Sequence, residues 1–379
     1  MQKLNVAVIG LGFIGKQHVE ALRRIPSVVV VAVSDMDLSA GEWCARNDIP
    51  RFYTNFEEML EKESLDVVHN CTPNFMHYAV NRKVLEAGIC VYSEKPLTTN
   101  AEEGKQLVKL AEEKSLTTGV NFNYRNNLMV QEMHYRVACG QMGEITHLQV
   151  EYLQDWLLYR TDFDWRVQTE KGGVSRAVAD IGSHCFDTLQ YILNEKIVSV
   201  YAIFRRQYKE RWYSGQKDTF SIENVHENAA KLIPVENEDA AIIMVRMQSG
   251  IIGSVIVTQI CAGKKNGLKL LLSGNQEAYE WNQEIPDKLW IGHRNKGNEI
   301  IYAGKTNLHE EIRHVAELPD GHPVGWKDAL TTGFEQFYES ILNKDNISMY
   351  PDFKDGYYIS KVVDACVESA RLGYWVNVE

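Results

Sequence analysis

The stretch Leu4-Asn5-Val6-Ala7-Val8-Ile9-Gly10-Leu11-Gly12-Phe13-Ile14-Gly15 decides the fold. An apolar, β-branched run ends on a glycine, and a helical pattern opens inside the G-x-G-x-x-G spacing. That strand, turn and helix context is what gives the spacing meaning. Each glycine has a mechanical task. Gly10 permits the tight turn, Gly12 lets the backbone approach a pyrophosphate at the helix N-terminus, and Gly15 lets helix and strand pack closely. Phe13 and Ile14 belong to the same turn and count with it as cofactor-binding positions. Asp35 stands 20 residues beyond Gly15, at the end of the next β-branched run. Its carboxylate suits the ribose hydroxyls of an adenosine and repels a 2′-phosphate. The reading is a dinucleotide site that takes NAD in preference to NADP, with Ser34, Arg46 and Arg51 as the nearby residues that still offer phosphate contacts. FAD fits less well.

Outward from this point the rhythm persists to about residue 122. Strands are expected at Leu4–Ile9, Val28–Val33, Val67–Asn70, Cys90–Ser93 and Thr117–Asn121. Helical spacing runs through Ile14–Ile25, Met76–Ala87 and Ala101–Lys114, with Asn100 and Glu103 as a capping pair. Alternation of this kind predicts a doubly wound parallel sheet. Beyond Asn126 the pattern changes. A helix to about Cys139 precedes a long strand, Ile145–Gln154, and an irregular aromatic segment, Asp155–Trp165. A glycine pair then leads into a helix. Six further strands follow in series: Val198–Arg206, Ala240–Met247, Ile251–Gln259, Leu268–Ser273, Ala278–Asn282 and Leu289–Ile291. Strands without crossover helices predict a large, mostly antiparallel open sheet. Helices at Trp326–Leu342 and Gly356–Leu372 close the chain. The fold class is therefore α/β, with a nucleotide-binding domain over 1–123 and a second α/β domain over 124–379.

Composition narrows the partners. The 379 residues carry a formal charge of -11, so a phosphate backbone meets repulsion and nucleic acid is not expected as a partner. No uncharged apolar stretch approaches the ~20 residues that span a bilayer, so no membrane partner is expected either. The seven cysteines are scattered without a C-x-x-C, which reads as reduced thiols in a cytoplasmic protein. Histidines fall singly, His18 reads as a packing residue, and no metal is expected.

Two further segments carry family character: Cys71-Thr72-Pro73-Asn74-Phe75-Met76-His77 after the third drawn strand, and Glu94-Lys95-Pro96 at the end of the fourth. With Asn123-Tyr124-Arg125 and Ala179-Asp180-Ile181-Gly182-Ser183-His184, they make the chain resemble the Gfo/Idh/MocA oxidoreductases, named for glucose-fructose oxidoreductase and inositol dehydrogenase. The resemblance spans nearly the whole chain. It implies that Lys95, Asp180 and His184 are the catalytic group beside the nicotinamide. It further implies that Thr72, Pro73, Asn74, His77, Glu94, Lys95 and Asn123 join the cofactor site, that the Lys95–Pro96 bond is cis, and that the open sheet builds a homodimer or homotetramer.

The chemistry suits those residue types. Oxidising an alcohol needs a group to take the hydroxyl proton, and a histidine near neutrality is suited to it. Asp180, four residues before His184 on a predicted helix, shares its face and either orients the imidazole or holds a neighbouring hydroxyl. Lys95 is a cationic donor for the reacting oxygen. Cys185 reads as a small buried cysteine.

The segments Tyr152-Leu153-Gln154-Asp155-Trp156, Asp164-Trp165-Arg166 and Gly172-Gly173-Val174-Ser175-Arg176 resemble a sugar and glycoside branch of the family, as do Glu238-Asp239-Ala240 and Ala262-Gly263-Lys264-Lys265-Asn266. Aromatic faces edged by polar groups suit a pyranose. Candidate substrate contacts are Lys95, Tyr124, Arg125, Asp155, Trp156, Trp165, Arg166, Asp180 and His184. The expected activity is NAD-dependent oxidation of a ring hydroxyl of a sugar, glycoside or inositol-like polyol. The alternative is a redox-neutral epimerase or glycosidase that recycles its NAD. A non-enzymatic sensor on this fold would be expected to lack Lys95 and His184.

Overall fold

The computed structural model of the chain describes residues 3–213, 231–343 and 350–378. They divide into two compact units: residues 1–121 with 330–360, and residues 122–329 with 361–379.

In the first unit the order is β1 (Leu4–Ile9), α1 (Phe13–Leu22), β2 (Val28–Ser34), α2 (Ser39–Arg46), β3 (Arg51–Tyr53), α3 (Phe56–Lys62), β4 (Val67–Asn70), α4 (Asn74–Glu86), β5 (Cys90–Ser93), α5 (Ala101–Lys114) and β6 (Thr118–Val120). All six strands are parallel, in the order β3-β2-β1-β4-β5-β6. A parallel sheet covered by helices on both faces buries both sides of each strand, which is why β1 and β2 read as nearly continuous apolar runs. The strand order reverses between β1 and β4, and ligands bind at the carboxyl ends of strands at such a switch point. Caps fix the helix starts. Asn100 Oδ1 accepts from Glu103 N at 2.9 Å, as the capping pair predicts, and Asn55 Oδ1 accepts from Glu57 N at 2.9 Å. Sequence patterning misses β3, α2 and α3, because three half-exposed residues and two short helices carry too little periodicity.

The second unit contains α6 (Leu128–Ala138), β7 (Ile145–Leu153), α7 (Thr169–Gly172), α8 (Ser183–Leu193), β8 (Ile197–Arg205), β9 (Glu210–Tyr213), β10 (Lys231–Pro234), β11 (Ala240–Met247), β12 (Ile252–Thr258), β13 (Gly267–Gly274), β14 (Glu277–Asn282), β15 (Lys288–His293) and β16 (Glu299–Tyr302). After them come α9 (Trp326–Asn343), α10 (Phe353–Leu372) and β17 (Val376–Asn377), with the division between units cutting through both helices. Nine strands form one sheet, β16-β15-β14-β13-β7-β12-β11-β8-β17, in which β7 and β12 are parallel and the other pairs antiparallel. Strand β11 shows the period of two: Ala241, Ile243, Val245 and Met247 are buried, while Ile242 and Met244 face outward.

Residues 330–360, which the sequence reading assigns to the second domain, lie with the first unit. On α9, Phe334, Phe337 and Tyr338 are fully buried. Phe334 meets the ring of His69 at 4.8 Å and Phe337 that of Tyr92 at 5.1 Å. Main-chain Pro351 O takes Val120 N at 2.8 Å, so the returning chain covers the edge of β6. An apolar stripe predicts that a helix is buried and does not name the surface that buries it. Phe337→Ala should cost about 3–5 kcal/mol in urea unfolding. A loss below about 1 kcal/mol would show that α9 is not part of this core.

Candidate active site

In the first unit the glycine turn behaves as its spacing requires. Gly10 has φ +89°, and a Cβ there would fall 2.7 Å from Cys71 O; one on Gly15 would fall 2.0 Å from Gly10 O. Both positions admit only glycine. A Cβ on Gly12 would meet nothing within 4 Å, so open space lies in front of the turn. The α1 N-terminus has no side-chain cap at Gly12, and the positive end of a helix dipole favours an anion there. Asp35 braces the turn by accepting Leu11 N at 2.6 Å and Asp37 N at 2.8 Å. Beyond it, Met36 and Leu38 are strongly exposed. These features fit the pyrophosphate and adenosine of a dinucleotide. The two arginines near this end are already engaged. Arg51 is paired with Glu63, and Arg46 Nε donates to Glu42 O at 3.3 Å, while Ser34 is buried.

The turn after β4 is cross-braced. Asn70 Oδ1 accepts Thr72 Oγ1 at 2.7 Å, and Asn70 Nδ2 donates to Asn81 Oδ1 at 2.8 Å. His77, expected at the cofactor, is fully buried and places its ring nitrogens 2.6 Å from Pro96 O and 2.7 Å from Thr72 O. It therefore joins the Thr72-Pro73-Asn74 turn to the Glu94-Lys95-Pro96 segment. The Lys95–Pro96 bond is cis. Glu94 is buried, and its Oε1 faces His18 Nε2 at 3.0 Å and Asn121 Nδ2 at 2.5 Å, while Oε2 accepts the main-chain N of Lys95 at 3.1 Å. Burial alone would raise the Glu94 carboxyl, but His18, Asn121 and Lys95 outweigh it and hold the carboxyl at about 2.

In the second unit the candidate side chains Asp180 and His184 lie at the start of α8 and in the turn before it. Residues Val178–Gly182 form a single π-helical turn that runs into the α-helix at Ser183, a feature the sequence reading takes as ordinary α-helix. Such turns recur at functional sites. The carboxylate of Glu238 anchors the start of this turn, accepting Ser175 Oγ at 2.8 Å, Arg176 N at 3.1 Å and Val178 N at 2.8 Å. Asp239 beside it pairs with the buried guanidinium groups of Arg176 and Arg211. Arg211 in turn donates to Tyr159 O at 2.7 Å, Asp162 O at 3.0 Å and Leu157 O at 2.9 Å, which pins the irregular segment after β7.

Asp180, inside the π turn, receives Gln259 Nε2 on Oδ2 at 2.9 Å and lies 3.6 Å from Arg166 Nε through Oδ1. Arg166 stacks on Trp165 at 4.2 Å and donates to Asp164 at 3.0 Å. His184 is 6% exposed and is walled by Tyr124 at 4.7 Å, Phe122 at 5.9 Å and Tyr152 at 6.2 Å between ring centroids. Tyr124, Tyr152 and Asn266 close a three-membered ring of hydrogen bonds. Tyr124 OH meets Tyr152 OH at 2.8 Å, Tyr152 OH donates to Asn266 Oδ1, and Asn266 Nδ2 returns to Tyr124 OH at 3.1 Å. Burial, aided by the Asp180 charge, raises both phenols, so they remain protonated donors at neutral pH.

The remaining candidates divide. Asp155 accepts Gly263 N at 3.0 Å and Lys265 Nζ at 2.7 Å, joining the 261–266 turn to the end of β7. Trp156 Nε1 donates to Gln154 Oε1 at 2.8 Å, and its ring packs against Leu157, Val167 and Val235. Arg125, expected at substrate, is buried in a two-pronged pair with Asp187 and stacks on Tyr191 at 5.2 Å, so its fork serves the packing of α8. Asn123 is buried, and its Nδ2 meets no acceptor among the described residues. Cys185 is fully buried and burial pushes its thiol far up, which makes it inert. Gln259, Tyr152 and Asn266 are the site residues that sequence reasoning does not single out. Tyr152 and Asn266 lie inside the quoted sugar-branch segments, and Gln259 has no local signature.

Comparison with known proteins bears on the fold and the family. Residues 4–122 match the GFO_IDH_MocA profile, described as an oxidoreductase family with an NAD-binding Rossmann fold, and residues 130–280 match the GFO/IDH/MocA C-terminal domain. Levoglucosan dehydrogenase of Pseudarthrobacter phenanthrenivorans is 28% identical over 100% of this chain and 99% of its own. Solved structures of levoglucosan dehydrogenase align over 100% of both chains. The complex with NADH and L-sorbose has a TM-score of 0.89 at 27% identity, and that with NADH and levoglucosan 0.88 at 26%.

The Glu94 environment predicts an acid dependence. Its carboxyl is depressed in the folded state, so the stabilisation is complete above the ordinary value near 4.5 and is lost as pH falls toward about 2. The stability gap between the wild type and Glu94→Gln should be roughly 3 kcal/mol at neutral pH and should narrow below about pH 4.5. A gap independent of pH, measured by chemical denaturation, would contradict it.

With both of its domains matched along the chain, the protein belongs to the Gfo/Idh/MocA family of oxidoreductases, and its N-terminal unit is an NAD-binding Rossmann domain.

Proposed function

We propose that the protein is an NAD-dependent dehydrogenase of a sugar, glycoside or inositol-like polyol. The observation that carries this reading is the pair formed by His184, at the buried start of α8, and the half-buried Asp180 in the π turn before it, set among hydroxyl and amide groups. Full-length similarity to a levoglucosan dehydrogenase solved with NADH and sugars supports the substrate class.

Gly10, Gly12 and Gly15 open the turn for the pyrophosphate, and the N-terminal end of α1 receives it. Asp35 takes the ribose hydroxyls, and its charge favours NAD over NADP. Thr72, Pro73, Asn74 and the orphaned amide of Asn123 serve the nicotinamide half. Bound NAD supplies the hydride acceptor. The imidazole of His184 takes the proton of the reacting hydroxyl, and the ammonium of Lys95 stabilises the charge that develops on its oxygen. Asp180, oriented by Gln259 and Arg166, holds a neighbouring hydroxyl. Trp156 and Trp165 offer faces to the ring, and Asp155 lies at the edge. Loss of the hydroxyl proton to His184, with loss of hydride from the carbon that bears that oxygen, leaves a ketone.

Absorbance at 340 nm with NAD and a panel of levoglucosan, glucose, glucosides and myo-inositol tests this. A rise is expected with at least one sugar, falling by ~10²-fold or more in His184→Ala. Conversion of a sugar with no net NADH would favour the redox-neutral alternative. In calorimetry NAD should bind at least about tenfold more tightly than NADP, and Asp35→Asn should narrow the difference; tighter NADP binding would overturn the cofactor assignment.

We further propose that the outer face of the nine-stranded sheet forms the homodimer or homotetramer interface. Ile203 and Ile242 sit opposite each other on β8 and β11, and with Met244 and Ile252 they leave an exposed apolar patch. Light scattering should show an oligomer that Ile242→Asp reduces to smaller species. An unchanged mass would remove this face as the interface.

A further inference from the structure

Four buried polar groups lie in a row across the first unit, and the last of them, Glu94, adjoins Lys95 of the proposed chemistry. Tyr338 OH meets His69 Nε2 at 2.8 Å, His69 Nδ1 meets His18 Nδ1 at 2.9 Å, and His18 Nε2 meets Glu94 Oε1 at 3.0 Å. Tyr338, His69, His18 and Glu94 are all buried. Phe334 stands edge-on to both imidazoles at 4.8 Å, and Tyr92 stacks on His69 at 5.1 Å. Inside these aromatic walls, proton positions are set by the partners rather than by bulk water.

The polarity of the row follows from its end. Asn121 Nδ2 and the main-chain N of Lys95 can only donate, and they reach different oxygens of Glu94, so the carboxylate accepts on both sides. His18 Nε2 must therefore donate to it. Burial keeps His69 neutral, with one ring proton. The two Nδ1 atoms share one further proton between them. Held by His69, it leaves both rings neutral and turns Tyr338 into a donor to His69 Nε2. Held by His18, it places a cation inside an aromatic box, at a desolvation cost. The first arrangement satisfies every contact without a buried imidazolium. Cys71 and His77 also face Glu94, and Tyr92 faces Tyr338.

We infer that Tyr338, His69 and His18 form a one-way hydrogen-bond chain, each member donating toward Glu94, which fixes that carboxylate and through it the main chain of Lys95. Tyr338 is thus a positioning residue for the lysine, supplied by α9 from 269 residues beyond His69. The consequence for turnover rests on the reading of Lys95 as catalytic.

Nitrogen-15 NMR of the full-length protein labelled at histidine reads the chain directly. Protonated Nδ1 and bare Nε2 are expected for His69, and the reverse for His18. A proton on His69 Nε2, or a doubly protonated His18, would overturn the proposal. In Tyr338→Phe the His69 Nε2 resonance should move as it loses its donor. With the sugar most active in the panel, kcat should fall roughly three- to tenfold, the worth of one buried hydrogen bond, with KM for NAD unchanged. An unchanged resonance together with an unchanged kcat would contradict the chain. If Tyr338→Phe does not fold, the wild-type tautomers still decide. Lys95→Met separates the two readings: it should abolish turnover and leave the tautomers as they are. Full activity in Lys95→Met would remove the catalytic reading while the ring nitrogens continued to report the chain.

Discussion

At the end of β1 two stretches of backbone pass with no room for a side chain between them. The Gly10 carbonyl occupies the place where a Cβ of Gly15 would stand, and Gly10 itself lies against the Cys71 carbonyl. This close passage lets α1 start immediately at the crevice, with its amide end toward the open space before Gly12. It also fixes what lies one turn further along. His18 is brought beneath the sheet, within reach of Glu94 and His69. The phosphate end of the cofactor site and the brace behind Lys95 are therefore two outcomes of one steric constraint.

The second unit solves a different problem, that of presenting polar side chains from a buried helix start. The π turn at Val178–Gly182 is stabilised at its beginning by Glu238, and Asp239 ties the same region to Arg211 and the segment after β7. Charges buried this deeply are stabilising only while all partners remain; breaking such a pair typically costs about 3–5 kcal/mol. Asp180 is held by the amide of Gln259 and the guanidinium of Arg166, so its oxygens are fixed in advance of the role proposed for them. That is preorganisation, which lowers the cost of binding and of stabilising charge.

Much of this is legible in the sequence where local chemistry decides. The bounds of β1, β4, β5 and α5 follow from glycine punctuation, β-branched runs and the Asn100 cap, and the glycine turn is readable residue by residue. What local chemistry does not decide is less accessible. The α9 stripe predicts burial but not burial against β4 and β5, and the i, i+4 spacing of Asp180 and His184 does not distinguish an α turn from a π turn. Gln259 reaches Asp180 only because β12 ends beside the helix start, and nothing near Gln259 in sequence marks it. His18 reads as packing, yet its two ring nitrogens are both engaged in polar contacts that only the fold assembles. Arg125, which the resemblance marks as a substrate contact, pairs with Asp187, 62 residues away, a partner that no local pattern announces.

The central claim is that hydride moves from a ring carbon of a sugar to NAD while His184 takes the hydroxyl proton. Its most direct test is to supply the most active sugar deuterated at its ring carbons and to recover the cofactor for mass spectrometry. The account predicts deuterium in the NADH released, carried over from a single ring position. Unlabelled cofactor, or deuterium returned to the carbohydrate with no NADH released, would contradict it.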